Sequence, residues 1–104
     1  LLVYVVEPVQ YGLAVGRAGS NVKRLESVLK RKVKIVEYSD DILSFVTSLV
    51  LPIRARNVSF ADGVVTVTAD SQSRGYLIGR AGRNLRNYES VLQRYFSVKE
   101  LKVV

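Results

Sequence analysis

The chain has 104 residues, 48% of them hydrophobic, and carries 16 Lys and Arg against 9 Asp and Glu, a formal net charge of +7. It contains no Cys, His, Met or Trp. That composition excludes thiol nucleophiles, disulfides, Cys/His zinc sites and any triad built on an imidazole base, and the length bounds the chain to one domain or two small ones.

Leu1 to Val6 has neither the charged leader nor the length of a signal peptide, and the apolar runs fall far short of the ~20 residues that span a bilayer. A cytoplasmic chain is therefore expected, and the start at Leu1 rather than Met suggests one cut short. Val3 to Val6 is a strand candidate closed by Glu7, an acid where a helix start favours negative charge, and Pro8 suits the first helical turn. A short helix, the turn Gly16-Arg17-Ala18-Gly19, a longer helix and a strand follow. In the longer helix Val22, Leu25, Val28 and Leu29 share one face, expected to be core, and Lys23, Arg24, Lys30 and Arg31 lie opposite. Ser39 and Asp40 are candidate N-caps for a helix with the apolar set Ile42, Phe45, Val46, Leu49 and Val50, which Pro52 stops. Ile53 to Phe60 reads as extended, Asp62-Gly63 as a hairpin turn, and Val64 to Ala69 as the returning strand, closed by Asp70. A second short helix, turn, long helix and strand complete the chain, with Leu85, Tyr88, Val91 and Leu92 expected as core and Arg86, Asn87 and Arg94 opposite.

The chain repeats itself. At a constant offset of 63, GLAVGRAGSNVKRLESVLKR (Gly12 to Arg31) lies over GYLIGRAGRNLRNYESVLQR (Gly75 to Arg94), with eleven of twenty pairs identical. Two copies suit a tandem pair of small domains better than a solenoid. The expected division is 1–38 and 39–104, packed without a flexible linker. If the copies share a fold, the first lacks a leading helix and strand, about 30 residues by the scale of the second copy.

The turns Gly16-Arg17-Ala18-Gly19 and Gly79-Arg80-Ala81-Gly82 carry the chemistry. Two glycines admit backbone conformations closed to other residues, and the helix that starts just after presents unpaired N–H groups and its positive end to whatever lies over the turn. A phosphate fits there, and Arg17, Arg80 and Arg83 add charge-assisted donors. A plain helix-turn-helix connection would explain one such turn, but two identical turns in the same apolar frame argue against it. Neither copy has the Lys-Ser/Thr pair of a nucleotide-binding P-loop. The adjacent acids Asp40 and Asp41 are accounted for as caps, so no enzyme, cofactor or metal is expected.

The frames Val15-Gly16-Arg17-Ala18-Gly19-Ser20-Asn21-Val22 and Ile78-Gly79-Arg80-Ala81-Gly82-Arg83-Asn84-Leu85 resemble the I-G-x-x-G-x-x-I signature of KH domains, whose G-x-x-G loop clamps four nucleotides. The element order of the second copy resembles the prokaryotic, type II arrangement. The joining stretch Val36-Glu37-Tyr38-Ser39-Asp40-Asp41, with Phe45 and Leu51-Pro52, resembles the link between the paired KH units of NusA, and over essentially the whole chain the likeness is to the short archaeal NusA-like transcription factors. The resemblance implies an α+β fold of two tandem type II KH domains, each a three-stranded sheet packed against helices, the first incomplete. It implies a single-stranded RNA-binding factor of transcription elongation or termination, with RNA polymerase a further partner it admits and no membrane or metal. Carried over by position, Gly16, Arg17, Ala18 and Gly19, and Gly79, Arg80, Ala81 and Gly82, would contact the sugar-phosphate backbone. Asn21, Lys23 and Arg24, and Arg83, Asn84 and Arg86, would reach phosphates or base edges, with bases lying over Val15 and Val22, or Ile78 and Leu85. The loops carry Arg-Ala where many KH loops have a lysine or a further glycine, which leaves the preferred RNA sequence open. An rRNA-binding assembly factor and a non-catalytic protein-interaction scaffold are the alternatives.

The whole charge excess belongs to the repeats. Gly12 to Lys34 carries +6, Gly75 to Ser97 carries +3, and the remainder −2. Such a distribution favours a polyanionic partner.

Overall fold

The computed structural model describes residues 2–16 and 19–104, so Arg17 and Ala18 of the first turn lie outside the described residues. The chain is α+β and divides into two units, Leu1–Asp40 and Asp41–Val104. In the first, strand β1 (Leu2–Val6) leads into helix α1 (Pro8–Val15), helix α2 (Ser20–Leu29) and strand β2 (Val33–Glu37). β1 and β2 pair in parallel, Leu2 opposite Val33 and Val6 opposite Glu37. Parallel neighbours need a crossover, and the two helices supply it. Pro8 sits in the first turn of α1 as expected, whereas Glu7, its N-cap, makes no side-chain hydrogen bond.

The second unit begins with helix α3 (Ile42–Leu49) and a hairpin of β3 (Asn57–Ala61) and β4 (Val64–Thr68), followed by α4 (Ser71–Ile78), a tight turn, α5 (Arg83–Tyr95) and β5 (Glu100–Val103). Its sheet order is β3-β4-β5, antiparallel then parallel, with Val65 opposite Leu101. Ala61 pairs with Val64 across Asp62 and Gly63, whose φ values of 52° and 80° are the two positive angles a type I′ hairpin turn requires. Gly63 also admits a close approach. Its carbonyl accepts from the Lys99 N–H at 2.7 Å, and a Cβ there would lie 2.9 Å from the Lys99 side chain. Asp70 caps α4, accepting from the Ser73 N–H at 2.8 Å, and that bond holds its carboxyl below its usual value.

Three local expectations need correction. Of the two adjacent acids read as caps, Asp41 is the N-cap of α3, rather than Ser39 or Asp40; its carboxylate accepts from the Leu43 N–H at 3.2 Å and the Ser44 hydroxyl at 3.0 Å. All three residues are competent caps, so the choice falls to tertiary packing, which buries Phe45, Val46 and Leu49 completely. Pairing in β3 starts at Asn57 rather than Ile53, because the chain first turns, with the Ile53 N–H bonded to the Val50 carbonyl at 3.0 Å.

The third correction concerns the core. In α5, Tyr88, Val91 and Leu92 are buried against the sheet as expected, with Val65, Val67, Leu77 and Leu101 in the same core. Phe45 of α3 meets Tyr95 and Phe96, at the end of α5, with ring centroids 5.9 and 5.4 Å away. The same face of α2 is not core: Val28 is 72% and Leu29 39% exposed, against 2% and 0% for Val91 and Leu92. Among the described residues the first unit's elements, β1-α1-α2-β2, include no counterpart of α3 and β3. An apolar helix face is buried only if something covers it, and periodicity alone does not supply the cover.

Candidate nucleic-acid interface

The glycines that bound each turn are held the same way. α1 ends at Gly16 (φ 78°, ψ 171°), whose N–H bonds to the Gly12 carbonyl at 2.9 Å, and the Gly19 N–H then bonds to the Gly16 carbonyl at 3.2 Å. Gly79 (φ 73°, ψ 176°), Gly75 and Gly82 repeat those bonds at the same 2.9 and 3.2 Å. These positive φ values, with ψ near 180° at the first glycine, are open in practice only to glycine. Gly19 and Gly82 then cap α2 and α5 in the left-handed conformation.

The repeated asparagines lock the turn. Asn21 Nδ2 donates to the Leu13 carbonyl at 2.7 Å and Asn84 Nδ2 to the Tyr76 carbonyl at 2.9 Å, tying each long helix to the short one before it. A Cβ on Gly79 would lie 2.9 Å from Asn84 Cγ and Nδ2, and one on Gly16 2.9 Å from Asn21 Cγ. The first glycine of each turn therefore makes room for the asparagine. By contrast, a Cβ on Gly19 meets nothing within 4 Å, and one on Gly82 meets only Arg86 Nη1, at 3.4 Å. The second glycine faces open space, and the Arg86 guanidinium reaches back beside it. Asn21 and Asn84, which sequence spacing groups with the phosphate-contacting residues, each engage one amide N–H within the fold.

A second pair of identical residues, Glu26 and Glu89, had no role in the sequence. Glu26 Oε2 accepts from the Val33 N–H and Glu89 Oε2 from the Leu101 N–H, each at 2.9 Å. Both latch the middle of the long helix to the strand that follows it. This bond makes Val33 and Leu101 equivalent although they do not keep the 63-residue offset, and the next residues, Lys34 and Lys102, become equivalent too. The shorter α2–β2 connection had hidden that pair of lysines. Burial lowers the Lys34 pKa to about 8, whereas Lys102 is exposed.

Around the turns the electrostatics are one-sided. Neither α2 nor α5 carries an acid in its first turn, nor does its N-cap glycine offer a side chain to the leading N–H groups. Helix starts ordinarily recruit Asp or Glu to meet their positive end. Here Arg80, Ala81, Arg83 and Arg86 are exposed about the second turn, and Lys23 and Arg24 beside the first. Val15, Val22, Ile78 and Leu85, which flank the turns, are half-buried and so keep apolar surface next to the cations. Among the described residues no cluster of acids could hold a metal ion, and no helix is long and apolar enough to cross a membrane.

Fold and site together define an α+β protein of two units, each presenting a glycine turn at the positive end of a helix. No protein-family model matches the chain. It is 33% identical over 107 residues to the probable transcription termination protein NusA of Methanococcus vannielii, covering 99% of this chain and 62% of that protein. The proteins of the same name from Methanocaldococcus jannaschii and Halobacterium salinarum are each 30% identical over 105 residues, of which this chain spans 57% and 76%. Among solved structures, the crystal structure of APE1850 superposes with a TM-score of 0.72 at 27% identity, over 98% of this chain and 77% of that one. The chain belongs to this archaeal NusA family, and it spans about three-fifths of the two methanogen proteins.

Proposed function

We propose that the chain binds single-stranded RNA, without catalysis, through two tandem type II KH units, as part of a transcription termination or elongation factor. The single observation that carries this is the duplicated turn: the same backbone angles, the same asparagine lock and the same absence of first-turn acids recur 63 residues apart. A helix start stripped of carboxylates and ringed by arginines is unfavourable alone and favourable with a phosphate over it. The order α3-β3-β4-α4-α5-β5 with its mixed sheet supports the type II reading. The name shared by the relatives supports transcription as the setting, and RNA polymerase as a further partner.

In this mechanism the Asn84 and Leu85 backbone N–H groups, which follow the Gly82 and Arg83 N–H groups bonded within the turn, take phosphate oxygens, and Arg80, Arg83 and Arg86 neutralise them. The open side of Gly82 lets the strand approach the backbone, and bases lie against Ile78 and Leu85. Gly16, Arg17, Ala18 and Gly19 with Lys23 and Arg24 do the same in the first unit. Fluorescence anisotropy of a labelled single-stranded RNA tests it: binding at low salt that weakens steeply as salt rises supports the reading, and no binding at low salt refutes it.

A further inference from the structure

We infer that the far end of α2, the Lys30-Arg31-Lys32 turn, is a second phosphate contact of the first unit, taking the backbone of the same RNA beyond the nucleotides held at Gly16–Gly19. This rests on the RNA reading above. On α2 the exposed Lys23, Arg24 and Ser27 lie at intervals of three and four and form a stripe, and the exposed Lys30 and Arg31 follow directly after the last helical residue, Leu29, on the way from the glycine turn to the start of β2. Ten residues of helix cover roughly 15 Å. At about 3.4 Å per stacked nucleotide that is four to five nucleotides past the turn.

The basic turn is not something the fold demands. In the second unit the Glu89 latch lies 12 residues before its strand partner, whereas the Glu26 latch lies 7 before Val33. α5 uses the extra length to continue to Tyr95, and Gln93, Arg94 and Tyr95 stand where the first unit has Lys30, Arg31 and Lys32. One cation suffices there. In the first unit three consecutive cations are crowded into a turn whose first member, Lys30, takes the left-handed conformation (φ 54°) that glycine or asparagine adopts more easily. They line an open depression of about 310 Å³ with Glu26, whose carboxylate is engaged by the Val33 N–H. Three adjacent like charges lie within one Debye length of each other, and a polyanion relieves their repulsion. The stripe that joins them to the glycine turn favours the phosphates of the RNA already bound there over a separate acidic protein.

The test compares Lys30→Asn/Arg31→Gln/Lys32→Gln with its parent. Both carry Arg80→Asp/Ala81→Asp to silence the second turn, and both are titrated with labelled oligouridylates of four and ten nucleotides. Asparagine suits the left-handed position, and matching thermal melts confirm the fold. The expected result is unchanged four-nucleotide affinity, about a tenfold loss for ten nucleotides, and a salt slope shallower by about 2, the share of three phosphates. Equal loss at both lengths, or no loss at either, overturns the second contact. If the wild-type chain binds neither RNA, the RNA reading itself fails.

Discussion

Replacing Gly79 with alanine should destabilise the second unit far more than the same change three residues on at Gly82. At Gly79, φ 73° and ψ 176° lie in a region essentially confined to glycine, where a side chain costs about 1–3 kcal/mol. The new Cβ would lie 2.9 Å from Asn84 Cγ and Nδ2, and moving Asn84 gives up its bond to the Tyr76 carbonyl, about 0.5–1.5 kcal/mol more. After the stabilising loss of unfolded-state freedom is set against this, the net cost is about 2–3 kcal/mol. Gly82, at φ 74° and ψ 16°, is ordinary left-handed backbone whose nearest obstacle is the flexible end of Arg86, at 3.4 Å, so alanine costs about 1 kcal/mol net. In thermal melts followed by circular dichroism, Gly79→Ala should lower Tm by roughly 10–20 °C and Gly82→Ala by less than about half as much. Equal losses would refute the division of labour between the two glycines.

Glu89→Ala removes a charged acceptor from the Leu101 N–H and should cost about 1.5–3 kcal/mol in urea unfolding, with Glu89→Gln recovering part of it; an unchanged midpoint for the alanine variant would remove the latch from the account. Lys34, with a pKa of about 8 folded against 10.5 unfolded, binds fewer protons in the native state between those values. Stability should therefore rise with pH from about 8 upward relative to Lys34→Met, and parallel pH profiles of the two proteins would contradict the burial argument.

Much of this architecture is legible in the sequence because local rules and packing agree. Asp62-Gly63 between β-branched runs makes a hairpin turn, and Tyr88, Val91 and Leu92 become core because the sheet and α3 cover the second unit's helices. The site is legible through the repeat, which singles out the four glycines. What the sequence conceals is tertiary. The exposure of Val28 and Leu29 reflects cover that no element among the first unit's described residues supplies, and the role of Glu26 and Glu89 depends on where β2 and β5 begin. The structural bond that Asn21 and Asn84 each make beside the first glycine is likewise invisible in their spacing. The cap of α3 lies among three adjacent candidates that local chemistry cannot rank.

The central claim is that both glycine turns hold the RNA backbone, and the direct measurement is the affinity of the chain for single-stranded RNA with each turn reversed in charge. Arg80→Asp/Ala81→Asp suits the comparison, since both positions are exposed and Ala81 already sits at φ 55°, where aspartate is better tolerated than most residues. Arg17→Asp/Ala18→Asp is its partner in the first unit. With thermal melts unchanged, each pair should weaken binding at least tenfold and the combination should abolish it. A folded quadruple variant that binds RNA as tightly as the wild type would contradict the account.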